Sequence, residues 1–184
     1  MKLFSIVVVV IVMTGSVCAQ VPSVGLPISL DLGVLGGVSV PMGNLSDFTN
    51  NGWNAGAKAR ISGLIPIDIV AFGIYNRLPD KADSYSSTAW MFGAGLELPL
   101  PSLIVKPYLG VDGFISTLSN TGPSANSLSR EGVGLGGGVR ASLPILGSVD
   151  VGIKYQILNQ LGQDANEQTL SQVAVNVALM FGVL

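Results

Sequence analysis

Hydrophobic residues in this chain recur at every second position over most of its length. That is the period of a β-strand with two chemically different faces. The clearest segment is Val149 to Ile157. Val149, Val151, Ile153, Tyr155 and Ile157 fall on one face, and Asp150, Gly152, Lys154 and Gln156 on the other. At the C-terminus Val173, Val175, Val177, Leu179, Phe181 and Val183 alternate with Gln172, Ala174, Asn176, Ala178, Met180 and Gly182. The same alternation runs through Leu30–Val40, Trp53–Ile61, Trp90–Leu98, Val105–Ile115 and Val133–Leu143. Ile67–Arg77 is apolar on both faces. Its expected apolar face is Val70, Phe72 and Ile74, which leaves Ala71, Gly73, Tyr75 and Arg77 on the other. The eight segments each have roughly the length that a tilted membrane-crossing strand requires.

The connections alternate in length. Pro41–Gly52, Leu78–Ser87, Leu118–Glu131 and Asn159–Leu170 are long and polar. Gly63–Pro66, Pro99–Leu103 and Pro144–Ser148 are short, and each contains a proline. A soluble sandwich has no reason to sort its turns in this way, whereas an up-and-down barrel in an outer membrane does.

Composition decides which way such a barrel faces. The chain has 184 residues, of which 48% are hydrophobic and only 11% charged; soluble domains carry about 25% charged residues. The less hydrophobic face holds many glycines and a sparse set of ionisable residues: Asp31, Glu97, Asp112 and Asp150 against Lys58, Arg60, Lys106, Arg140 and Lys154. Solvent-facing surfaces are more densely charged than this. A narrow eight-strand lumen favours small residues beside long ones, and it requires its ions to be nearly balanced. The expectation is therefore a polar, largely filled lumen with those nine residues as its charge network. The apolar face, including Val149, Val151, Ile153, Tyr155, Val175, Val177, Leu179 and Phe181, is expected to meet lipid. Trp53, Trp90 and Phe181 fall where aromatic belts form.

Residues 1–19 have the layout of a secretory signal peptide: Lys2, an apolar run from Leu3 to Met13, and small residues before a cleavage point between Ala19 and Gln20. The run is too short to span a bilayer as a helix. A retained anchor and lipoprotein processing at Cys18 are the alternatives. Residues 20–27 form a short N-terminal segment, and the barrel is expected over 28–184.

Four stretches carry a resemblance to a known family. Gly37 to Gly43 (GVSVPMG) leads into Asn44–Phe48 and Gly52-Trp53, Lys106 to Gly110 reads KPYLG, Val149 to Tyr155 reads VDVGIKY, and an alternating strand ends the chain. In these the chain resembles the small outer-membrane β-barrel family that includes the eight-stranded barrel domain of OmpA-like proteins. It ends in Leu184, where a terminal aromatic is common in that family, with Phe181 three residues earlier. The resemblance implies an eight-stranded antiparallel barrel in the outer membrane of a Gram-negative-type bacterium, without a peptidoglycan-binding domain. It also implies contact with outer-membrane lipid and with the barrel-assembly machinery during biogenesis. Long loops would be extracellular and short turns periplasmic.

Several chemistries lack their residues. The sequence has no histidine, the commonest general base. Ser84, Ser86, Ser87 and Ser129 thus have no such partner and read as ordinary loop residues. Asp80 and Asp83, with Lys81 between them, read as a solvated loop. Beyond Ala19 the chain has neither cysteine nor histidine for a metal. The glycines from Gly132 to Gly138 precede a strand-like stretch rather than the helix that a phosphate loop needs, and they read as space-makers in the lumen or as strand-bend sites. A net charge of −2 without a basic block argues against nucleic acid. The loops hold Asp47, Asp80, Asp83, Glu131, Asp164 and Glu167 against Lys81 and Arg130. That acidic outer end could engage lipopolysaccharide or surface ligands. The expected protein is a non-enzymatic, cofactor-free, monomeric barrel with a structural or surface-interaction role. A small pore or transporter for a small or apolar solute, and a soluble secreted β-domain, are the alternatives.

Overall fold

The computed structural model describes residues 28–63, 66–81, 86–101, 105–120, 127–143, 147–161 and 167–183. The expected signal peptide, the Ala19/Gln20 cleavage point and segment 20–27 lie outside the described residues, as do Asp83, Ser84, Asp164 and Leu184.

Eight strands follow in order: β1 (Ser29–Gly43), β2 (Gly52–Ser62), β3 (Asp68–Pro79), β4 (Ser86–Pro99), β5 (Val105–Asn120), β6 (Ser127–Leu143), β7 (Gly147–Leu161) and β8 (Leu170–Gly182). Each pairs antiparallel with its chain neighbours. β1 pairs with β8 from Asp31↔Gly182 to Gly43↔Leu170, which closes the barrel. Closure satisfies every sheet edge internally, the condition for a sheet to exist in hydrocarbon. At the short turns Gly63 (φ 97°) and Gly147 (φ 90°) take the left-handed backbone that residues with a side chain avoid.

The barrel is inside-out relative to a soluble one. Leu135 is 67% exposed and Val34 61%, while Glu97 is fully buried. Among the described outward-facing strand residues the charges are Arg77 and Glu131, and both lie near the long-loop ends. Val149, Val151, Ile153, Tyr155, Val175, Val177, Leu179 and Phe181 share the outward face. Trp53, Tyr75, Trp90 and Phe92 form a continuous aromatic row outside β2–β4, with successive ring centroids 5.6, 4.9 and 6.0 Å apart.

The orientation of β3 differs from the sequence expectation. Val70, Phe72 and Ile74 point into the lumen and are buried. Ala71, Gly73, Tyr75 and Arg77 face outward. The reason lies on β4: Gly95 and Gly93 stand opposite Val70 and Phe72, and a Cβ on Gly93 would come within 2.7 Å of the Phe72 ring. Neighbouring glycines make the space that the large residues of β3 fill. The same parity carries Asp68 into the lumen, a residue absent from the expected network.

The long connections are also shorter than expected. β5 and β6 continue to Asn120 and Ser127, and Leu118↔Leu128 and Thr117↔Ser129 pair within the expected third long loop. Ser86 and Ser87 lie on β4 and Ser129 on β6, not in loops. The first long loop contains a short helix, α1 (Asn44–Phe48), whose Leu45 joins Leu78 and Leu158 in one buried cluster and caps the loop end of the interior. On β6 the pairing with β7 shifts between Glu131 and Val133. There Ser116 of β5 reaches past β6 and donates to the carbonyl of Leu158 at 2.6 Å.

Candidate functional site

The lumen is stacked in layers, built from one inward residue in every two on each strand. Nearest the short turns lies a ladder of alternating charges. The Arg60 guanidinium donates to Asp31 at 2.5 Å and stands 3.7 Å from Asp150. Lys58 Nζ bridges Asp150 at 2.9 Å and Glu97 at 2.7 Å. Arg140 bridges the other oxygen of Glu97 at 3.0 Å and Asp68 at 2.8 Å. The continuous order is Asp31, Arg60, Asp150, Lys58, Glu97, Arg140, Asp68. It crosses the bore and ties together β1, β2, β3, β4, β6 and β7. Lys154 and Asp112 form a separate ion pair joining β7 to β5.

This geometry answers the cost of burying charge. An isolated ion in a low-dielectric interior loses several kcal/mol of hydration, and a pair recovers that only with good geometry and further hydrogen bonds. Here Glu97 directs each oxygen to a different cation. Asp150 accepts from Lys58 on one oxygen and from the Tyr108 hydroxyl at 2.7 Å on the other.

Tyr108, on the inner face of β5 and 4% exposed, is the central residue that the sequence pattern does not single out. Lys58 and Arg140 both stand over its ring, with their charged groups 5.4 and 5.3 Å from the ring centroid, a distance at which a cation is drawn to the ring face. The floor beneath it is glycine. Gly138 pairs with Tyr108 on one side and Gly152 on the other. A Cβ on either glycine would sit 2.6 or 2.8 Å from the Tyr108 hydroxyl oxygen. Gly134 leaves similar room for the Asp112 carboxylate. The glycine run of β6 thus serves side chains from neighbouring strands.

Above the charges Leu35, Phe72, Ile74, Met91, Phe114 and Ala178 form a buried apolar layer. A cavity of about 40 Å³ separates it from the ladder, room for a few waters at most. Next comes an amide layer. Asn54 donates to Ser39 at 3.0 Å, Ser39 to Asn76 at 2.8 Å, and Gln172 to Gln156 at 2.9 Å. At the loop end Arg130 pairs with Glu167 at 2.8 Å. Asn159 donates to Glu167 and to the Gln168 carbonyl and accepts from the Leu170 amide.

The structure brings together eight of the nine residues expected in the network: Asp31, Lys58, Arg60, Glu97, Arg140 and Asp150 in the ladder, and Asp112 with Lys154 beside it. Lys106 is not drawn in. It is exposed at the short-turn mouth and forms no ion pair among the described residues. Asp68 takes the place that sequence reasoning missed. Its signal was available in the spacing to Val70, Phe72 and Ile74, once those are placed inside. With Asp68 counted, this network holds five carboxylates and five cations, apart from the Arg130–Glu167 pair at the loop end.

No family model matches the chain, and no curated protein matches it. Among solved structures it is similar to Neisserial surface protein A, at 17% identity and a TM-score of 0.62 over 83% of this chain and 95% of that one. It is also similar to a major outer membrane protein from Thermus thermophilus, at 13% identity and a TM-score of 0.50 over 84% and 100%. The shared feature is the fold: a closed eight-stranded antiparallel barrel of the small outer-membrane type.

Proposed function

We propose that this chain is a non-enzymatic outer-membrane barrel whose filled lumen makes it a rigid mount for its loops, with a structural or surface-interaction role. The observation that carries the reading is the inverted polarity of a closed barrel. A continuous apolar exterior surrounds an interior of paired ions and amides. An exterior of that kind is unfavourable in water and favourable in hydrocarbon, where a charge at midplane costs about 2–4 kcal/mol. The aromatic row of Trp53, Tyr75 and Trp90 suits the interface on the long-loop side. The bore is crossed by the charge ladder and then by the apolar layer, which argues for a plug rather than a path. Closure leaves no free edge, so the barrel works as a monomer, with long loops outward and short turns toward the periplasm.

Membrane fractionation with gel mobility before and after boiling tests the location. A folded barrel partitions with the outer membrane and shifts on heating, while detergent-free solubility would refute the reading. Planar-bilayer recording tests the plug. The expected result is no stable porin-like conductance; a large stable conductance would support the small-pore alternative instead.

A further inference from the structure

Arg77 and Glu131 interrupt the apolar exterior of the described strands, and their surroundings differ. Glu131 stands on β6 between the outward Ser129 and Val133. Arg77 stands on β3 at the edge of the aromatic row. It lies directly opposite Trp53 in the β2–β3 register and opposite Thr88 in the β3–β4 register, and Tyr75 is the next outward residue on its own strand. Trp53, Trp90 and Phe92 are half-exposed. The other outward aromatics of the described strands, Tyr155 and Phe181, lie apart on β7 and β8. Interfacial rings commonly form a girdle; here they gather on three strands, beside one cation.

Arg77 is exposed and forms no ion pair among the described residues. Its neighbours do not supply one. Asp80, just past the end of β3, accepts from Ser87 at 2.8 Å. Lys81, the next charge in the chain, has the same sign as Arg77. Thr88 donates to the Ser119 carbonyl. Glu131 is three strands away around the barrel. An arginine at the rim of the apolar exterior lays its stem along neighbouring apolar surface and keeps its charged head in the headgroup layer. A cation held there attracts anionic headgroups.

We propose that Arg77 and the aromatic row form a docking site for a lipid with an anionic phosphate headgroup, in the leaflet on the long-loop side. The headgroup phosphate meets the Arg77 guanidinium, whose planar donors match its oxygens. The upper acyl chains lie across Trp53, Tyr75 and Trp90. The charge complementarity of an unpaired outward cation selects this occupant over a neutral lipid. The site rests on the membrane reading given above and adds to it a fixed lipid contact on one side of the barrel.

Trp53 and Trp90 are the only tryptophans of the chain, so tryptophan fluorescence reports on this face alone. The full chain is folded into phosphatidylcholine vesicles that carry a small fraction of lipid with brominated chains, which quench the rings they touch. Brominated phosphatidic acid should quench more strongly than brominated phosphatidylcholine at equal fraction, with a preference of about fivefold in apparent affinity. Arg77→Gln should abolish the preference and Arg77→Lys should retain most of it. Lys106→Gln, at the short-turn end, should leave it unchanged. Because Arg77 and Lys106 are exposed, these variants fold, which heat-modifiable mobility verifies. Equal quenching by both lipids in the wild type would overturn the site and leave the membrane reading standing. Quenching by neither would remove the membrane reading, and the site with it. A preference that survives Arg77→Gln, or that is lost in Lys106→Gln, would also overturn the site. So would quenching by both lipids that weakens as the protein-to-lipid ratio rises, which would assign this face to a second copy of the chain.

Discussion

Tyr108 and Asp150 meet across the lumen through a 2.7 Å hydrogen bond, although they lie on strands β5 and β7 that do not pair with each other. The strand between them, β6, offers Gly138 at the crossing point, and β7 offers Gly152 beside it. Removing the hydroxyl in Tyr108→Phe should cost about 1–2 kcal/mol, because Asp150 loses a partner at a buried oxygen. Filling the floor in Gly138→Val should cost more and prevent the barrel from closing on Tyr108. Equilibrium urea unfolding in micelles reads both, and equal small losses would show that the glycine floor is dispensable.

The two ion-pair systems should respond differently to neutralisation. Lys154 and Asp112 form a separate pair, so Asp112→Leu or Lys154→Met alone should destabilise by about 3–5 kcal/mol. The double variant should recover most of that loss. Lys58 and Glu97 each have a second partner in the ladder. Replacing them together with Met and Leu would leave Asp150 and Arg140 short of a counter-charge, so the double variant should not recover. A double-mutant cycle at each site distinguishes these outcomes.

The apolar exterior yields a prediction about surroundings. Ile153→Arg places a charge at mid-barrel on the outward face and should cost about 2–4 kcal/mol for refolding into lipid vesicles. On a water-facing surface the same change would be nearly neutral. Folding yield and unfolding midpoint in vesicles decide between the two.

The orientation of β3 is tested by a pair of truncations. Phe72→Ala should empty part of the apolar layer and cost about 3–5 kcal/mol. Tyr75→Ala, next to the inward Ile74 but on the outer face, should cost much less. Reversed effects would restore the orientation that the sequence alone suggests.

Much of this protein could be read from alternation and turn length. Seven strands show two unlike faces, and for those the inward side follows from local pattern, since a side chain's face is set by its parity along the strand. The strand count, the long and short connections and most of the lumen charges came from that pattern. β3 is apolar on both sides, so its own residues carry no preference. Only closure against β4 decided it, because Gly93 and Gly95 leave room for Phe72 and Val70. That decision brought in Asp68 and completed the balance of charge. The pairing of ions was equally beyond the sequence. Lys58 and Asp150 are separated by 92 positions along the chain, and the stagger of a closed barrel alone brings them together. The same stagger leaves Lys106 at the rim, beside an arginine whose carboxylate partners lie on other strands.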